Sequence, residues 1–178
     1  MIRRDFIKKA GLSTASLLMP STILNAGELF SSRKMNIGII GCGDRGLGLM
    51  HVLKQLPDLF QLSACCDVLD FRLANAKKID SGPAMFKDYR KMLAEKSLDA
   101  VIIAVPLDLD FRIAEEAILA GKHVYLEKTM TYNTEQALAL VALMRSKQAQ
   151  VLQVGHQYRY TPLYHKVKEM IEKGYLGK

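Results

Sequence analysis

Met35-Asn36-Ile37-Gly38-Ile39-Ile40-Gly41-Cys42-Gly43-Asp44-Arg45-Gly46 is the stretch that decides the fold. Met35–Ile40 is a short apolar run, as a strand covered on both faces requires. Gly41 to Gly46 fit G-x-G-x-x-G and open a helical stretch, Arg45–Leu56, that Pro57 stops. Gly41 permits the tight turn, Gly43 lets a pyrophosphate approach the backbone, and Gly46 lets helix and strand pack closely. The helix start then offers free N–H groups and the positive end of its dipole to phosphates. Three glycines could merely turn the chain. Asp67 separates the two readings, because it follows a second apolar run, Phe60–Cys66, about 20 residues past the motif. A carboxylate there accepts hydrogen bonds from an adenosine ribose and repels a 2′-phosphate, which favours NAD over NADP.

Outward from this unit, short apolar runs alternate with amphipathic stretches. A helix is expected over Asp70–Ile79, ended by Ser81-Gly82-Pro83, then a short strand at Met85–Phe86 and a helix over Tyr89–Lys96. Ala100–Val105 is a continuous strand-like run closed by Pro106, and Asp110–Ala120 is helical, with Gly121 ending it. Strand His123–Glu127, helix Thr134–Lys147 and strand Val151–Gly155 follow, with Asn133 and Gln136 forming a capping-box-like start. Thr161-Pro162 opens a last helix carrying Leu163, Val167, Met170 and Ile171 on one face, and Gly174 closes it. The pattern predicts an α/β fold, a Rossmann-type doubly wound parallel sheet with helices on both faces. Ligands collect where the strand order reverses. Val105-Pro106 and Glu127-Lys128 would end strands at that edge.

The first 33 residues read as an address. Arg3-Arg4 before Phe6 and Lys8, then a weakly apolar stretch from Ala10 to Leu24 and the small residues Ala26-Gly27, resemble a twin-arginine export signal. Ile2 stands where Ser or Thr is commoner. The stretch is too short and too weakly apolar for a stable membrane span. Export of the folded protein to the periplasm or beyond is therefore expected. The net charge is +7, but about +2 of it lies in residues 1–32. The remaining Lys and Arg are interleaved with Asp and Glu, without the basic stripe or motif of a nucleic-acid binder. Cys42, Cys65 and Cys66 have no metal-ligand spacing, so no metal site is expected. Cys42 and Cys66 fall at the ends of neighbouring strands and could approach, though small buried free thiols are the favoured reading.

Ala120-Gly121-Lys122-His123-Val124-Tyr125-Leu126-Glu127-Lys128, with the glycine motif and Asp67 upstream, resembles the Gfo/Idh/MocA oxidoreductases. Val154-Gly155-His156-Gln157-Tyr158-Arg159-Tyr160 and Gly174–Lys178 are similar to that family's entry into its second domain. The likeness runs from Met35 to Lys178. It implies a nicotinamide cofactor, sugar, cyclitol or polyol substrates, and a C-terminal α/β substrate domain absent from this chain. Homo-oligomerisation through that domain is also expected. Residues 34–160 would be the NAD-binding domain and 161–178 a linking helix. The chain departs from the family pattern in two places. Its usual E-K-P is Glu127-Lys128-Thr129, and Leu107, Asp108, Leu109 and Asp110 stand where Asn or Asp and then His are common.

The expected cofactor-binding set is Gly41, Gly43, Asp44, Arg45, Gly46, Asp67, Val105, Pro106, Glu127 and Lys128. Lys128, carried over from the family motif, would hold and polarise the reacting hydroxyl. His156 is a second catalytic candidate and Arg159 a substrate contact. The expected function is hydride transfer between NAD and a hydroxyl-bearing carbon, with the fragment alone inactive. Two rivals use the same residues. One is NAD-dependent glycoside cleavage by transient oxidation and elimination, and the other is a non-catalytic nucleotide- or sugar-binding module.

Overall fold

Strands come from β-branched and aliphatic runs, and here six of them pair in parallel. The computed structural model describes residues 33–175 and 177; the export-signal reading of residues 1–32 lies outside them. The order along the chain is β1 (Met35–Ile40), α1 (Asp44–Lys54), β2 (Phe60–Cys66), α2 (Asp70–Ile79), β3 (Ala84–Phe86) and α3 (Tyr89–Leu93). There follow β4 (Ala100–Ile103), α4 (Leu107–Leu119), β5 (His123–Leu126), α5 (Thr134–Ser146) and β6 (Leu152–Val154). A 3-10 turn at Gln157–Tyr160 leads into α6 (Pro162–Glu172).

The sheet order is β3-β2-β1-β4-β5-β6. Ile40 lies opposite Cys66 on one side and Ile103 on the other, and Ile103 opposite Leu126. All strands thus finish at one edge, and the order reverses between β1 and β4. That is the doubly wound arrangement with its crevice at the reversal. Right-handed crossovers place helices on opposite faces when the strand order runs in opposite directions. Two cores result. Ile37, Ile39, Cys42, Met50, Leu53 and Ile102 fill one, and Val101, Ile103, Ile113, Ile118, Val124, Leu126 and Leu140 the other. Beside α1 an apolar groove of about 540 Å³ runs over Ile102, Tyr125 and Val151 towards β6.

Element positions follow the sequence closely, with differences at the ends. Asn133 accepts from the Gln136 N–H at 2.9 Å, as a capping box requires, but Gln136 returns to the Tyr132 N–H (3.0 Å) rather than to Asn133. The α3 helix stops at Leu93, three residues short of expectation, because Lys122 Nζ donates to the Glu95 and Leu98 carbonyls (2.7 and 2.9 Å). Those carbonyls belong to a loop, not to a continuing helix. β4 ends at Ile103, although the Ala104 N–H still donates to the Ile40 carbonyl at 2.9 Å. The chain then turns at Ala104–Pro106 over the glycine loop. α4 begins at Leu107, three residues earlier than expected, since Pro106 presets φ at −57° and Asp108 and Asp110 sit in the first turn. α1 ends at Lys54, two residues before the expected stop.

Candidate active site at the strand-order reversal

The glycine loop is shaped by contacts that leave no space for side chains. Gly41 has φ +93°, and a Cβ there would lie 2.2 Å from the Ala104 carbonyl oxygen. A Cβ on Gly46 would meet the Gly41 oxygen at 1.9 Å, so the helix presses directly on the turn. Gly43 is different. It has ordinary angles, and a Cβ there would meet nothing nearer than the Arg72 guanidinium at 3.7 Å. No fold contact demands glycine at that point, so an approach from outside is the remaining reason for one. No side chain caps α1 at Gly43, which leaves its first N–H groups unclaimed by a cap.

Asp67 does more than its position in the sequence indicates. Its carboxylate accepts the Cys42 N–H (2.8 Å) and the Leu69 N–H (2.9 Å), bracing the glycine loop against the end of β2. Each oxygen keeps a free lone pair, and Arg72 Nη1 lies 3.7 Å away over the carboxylate. Gly41, Asp67, Arg72, Val105 and Pro106 share a cavity of about 230 Å³ with Tyr89. The Tyr89 hydroxyl is buried and has no partner among the described residues. A buried orphan donor, a carboxylate with spare lone pairs and a backbone cradle fit the adenosine half of a dinucleotide.

A second cavity, about 340 Å³, adjoins the first at Ala104 and Val105 and is lined by Arg45, Glu127, Lys128 and Gln157. Glu127 organises it. Its Oε1 accepts from Arg45 Nη2 at 2.6 Å and from the Tyr125 hydroxyl at 3.3 Å, and its Oε2 from the Lys128 N–H at 3.3 Å. Arg45 also donates to Gln157 Oε1 (2.9 Å), tying α1 to the turn after β6. Burial, and after it the Glu127 charge, pushes the Tyr125 phenol up, so it remains a donor. Glu127 thus holds Arg45 and the backbone of Lys128 while it also lines this cavity. Lys128 itself is exposed, and the peptide bond to Thr129 is cis.

A third cavity of about 280 Å³ begins on the other side of Lys128. His156 and Arg159 line it, with Tyr158 and Tyr164. The structure therefore assembles Arg45, Val105, Glu127 and Lys128 in one cleft, Gly41, Asp67, Val105 and Pro106 in the next, and Lys128, His156 and Arg159 in a third. Asp44 is exposed in the first turn of α1, outside these three. Arg72, Tyr89, Tyr125 and Gln157 went unread in the sequence. Only Arg72 left a legible sign, a cation within the helix turn following Asp67.

Asp110 is the other residue whose role the sequence hid. It is 2 % exposed on the inner face of α4, and its Oδ1 has no partner among the described residues. Burial first, then the charges of Asp108 and Glu127, push its carboxyl up to about 7. The three cysteines are buried and free. Cys42 Sγ reaches the Cys66 carbonyl at 3.7 Å rather than its thiol, and burial pushes Cys66 up to about 12, which marks Cys66 as an inert core thiol. Among the described residues no cluster could hold a metal ion, and no helix is long and apolar enough to cross a membrane.

Comparison with known proteins agrees with this geometry. The family model described as the oxidoreductase family, NAD-binding Rossmann fold, matches residues 35–156. The chain is 25% identical over 143 residues to an inositol 2-dehydrogenase/D-chiro-inositol 3-dehydrogenase of Lactiplantibacillus plantarum, covering 80% of this chain and 41% of that protein. It is 32% identical to a glycosyl hydrolase family 109 protein of a Shewanella species, over 75% of this chain and 29% of that one. The structure of scyllo-inositol dehydrogenase from Lactobacillus casei with bound NAD(H) and scyllo-inositol superimposes with a TM-score of 0.72 at 27% identity, covering 82% of this chain and 43% of that one. The chain spans less than half the length of these relatives. It belongs to the Gfo/Idh/MocA oxidoreductase family, and residues 35–156 form its NAD-binding Rossmann domain.

Proposed function

We propose that this chain is the cofactor-binding part of an NAD-dependent oxidoreductase acting on a hydroxyl-bearing carbon of a sugar or cyclitol. The observation that carries the reading is Lys128, held at the end of β5 by Glu127 and standing between two cavities, one continuous with the glycine-loop crevice. The Gly43 backbone and the start of α1 would receive the pyrophosphate, and Asp67 the adenosine ribose. Val105 and Pro106 would form the wall beneath the dinucleotide. Bound NAD supplies the hydride acceptor. The Lys128 ammonium would donate a hydrogen bond to the reacting hydroxyl and polarise it. His156 and Arg159 stand near enough to the same cavity to fix further hydroxyls. The inositol-acting relatives named above support this substrate class.

The test joins residues 33–178 to the C-terminal substrate domain that the family likeness implies, and incubates that protein with NAD and a panel of cyclitols and hexoses, following reduced nicotinamide, with Lys128→Met as control. Ketone product from the parent protein and a loss of at least about a hundredfold in the variant are expected; turnover unaffected by Lys128→Met would refute the role. The glycosyl hydrolase relative favours one second reading, glycoside cleavage by transient oxidation. Released aglycone without net reduced cofactor would select it. The twin-arginine stretch supports export in the folded state with cofactor held. Changing Arg3 and Arg4 to lysine should abolish periplasmic accumulation; unchanged fractionation contradicts export by this route.

A further inference from the structure

Lys128 and Gln157 border two cavities. One contains Val105 and faces the glycine loop, while the other continues past His156 and Arg159 to a pair of tyrosines. Tyr158, in the 3-10 turn, and Tyr164, in the first turn of α6, are stacked with ring centroids 5.8 Å apart and planes inclined by 22°. They remain 62% and 51% exposed. A flat aromatic wall left wet, bordered by a guanidinium, an imidazole and an ammonium, is amphipathic in a particular way. It offers an apolar plane with hydrogen-bonding groups around its rim. Six-membered ring polyols have the complementary form, a plane of C–H bonds and a rim of hydroxyls.

We infer that the Tyr158–Tyr164 pair is the stacking wall of the substrate subsite and selects rings that keep one face free of axial hydroxyls. Equatorial hydroxyls project outward from a ring laid on Tyr158, towards Lys128, His156 and Arg159. An axial hydroxyl on the stacked face points into the aromatic ring, where it loses water and gains no acceptor. The site therefore rejects rings with an axial hydroxyl on each face, because either way up one hydroxyl is left unpaired, the kind of penalty that discriminates strongly. The inference rests on the proposed function and adds stereochemistry to it.

The test uses the chain as it is, saturated with NAD, and two probes, scyllo-inositol with every hydroxyl equatorial and D-chiro-inositol with one axial hydroxyl on each face. Affinities are read by titration and by saturation-transfer NMR. Scyllo-inositol should bind about tenfold more tightly than D-chiro-inositol. Tyr158→Ala should remove that preference, Tyr158→Phe should keep it, and Tyr164→Ala, which withdraws the supporting ring, should reduce it. NAD affinity should be unchanged in all three variants. Equal affinities for the probes, an unaltered Tyr158→Ala variant, or no saturable binding of either probe while NAD binds normally would each overturn the inference and leave the proposed function standing. Tyrosines that merely tie the turn to α6 would give that second result. Failure of the parent chain to bind NAD would overturn both.

Discussion

Asp110 carries a carboxyl in a place where charge is poorly tolerated. Its shift to about 7, caused first by burial, means that the folded state prefers it neutral. A raised folded pKa gives stability that is present in full below the unfolded value of 3.8 and is lost as pH rises through about 7. Asp110→Asn keeps the shape and removes the titration. Its stability relative to the parent should therefore increase between about pH 4 and pH 7 and then level off, at roughly 2–4 kcal/mol. Urea unfolding across that range checks it, and a difference independent of pH contradicts it. Asp67 is fixed in place by two backbone N–H groups that converge on its carboxylate. Asp67→Ser should weaken NAD at least about tenfold and narrow the margin over NADP, by loss of charge-assisted hydrogen bonds. Calorimetry with both cofactors decides this, and NADP binding as tight as NAD in the parent defeats it. The glycines, Asp67 and Lys128 were legible in the sequence because each belongs to a short spaced motif. The Arg45–Glu127 pair was not, since 82 positions separate its members and only the sheet order brings them together.

Elements were read more easily than their ends. β1 and β2 coincide with their apolar runs, because a buried strand is a local pattern, and α2 ends before Ser81-Gly82-Pro83 as those breakers require. The terminus of β4 is not local. Ala104 and Val105 are as strand-like as their predecessors, yet they turn away because the glycine loop lies against the Ala104 carbonyl. α3 likewise stops where Lys122, from the start of β5, claims the Glu95 and Leu98 carbonyls. Burial lowers the Lys122 ammonium from its usual range, but it is anchored by those two acceptors. Lys122→Met should cost about 1–3 kcal/mol, as the Leu98 carbonyl loses its donor and the Glu95 carbonyl keeps only the Leu98 N–H at 3.2 Å. A change below about half a kcal/mol in urea unfolding would show that water replaces the ammonium. In α6 the expected apolar stripe is present and open to solvent at Leu163, Val167 and Ile171. Replacing Leu163 and Ile171 by serine should reduce self-association in sedimentation velocity, and identical sedimentation would show that this face is not sticky.

At the scale of the molecule, one sheet edge gathers a backbone cradle, a braced acid and an exposed lysine into adjoining cavities. Lys128, Tyr158 and Arg159 are all exposed, so among the described residues nothing closes the substrate side against water. Hydride transfer needs the reacting carbon fixed and solvent excluded, and the chain by itself should bind NAD without turning it over. Binding is the central claim, and Gly43 tests it most directly. A side chain at Gly43 meets no backbone and needs no unusual φ, so the fold should accept Gly43→Val. The same side chain would stand in the path of the pyrophosphate. Titration of NAD into the parent chain and into Gly43→Val, with unfolding curves for both, is therefore the decisive measurement. The account predicts saturable binding by the parent, loss of at least about a hundredfold in the variant, and unfolding free energies within about 1 kcal/mol of each other. NAD binding that survives Gly43→Val unchanged, or a parent chain that binds no NAD, would contradict it.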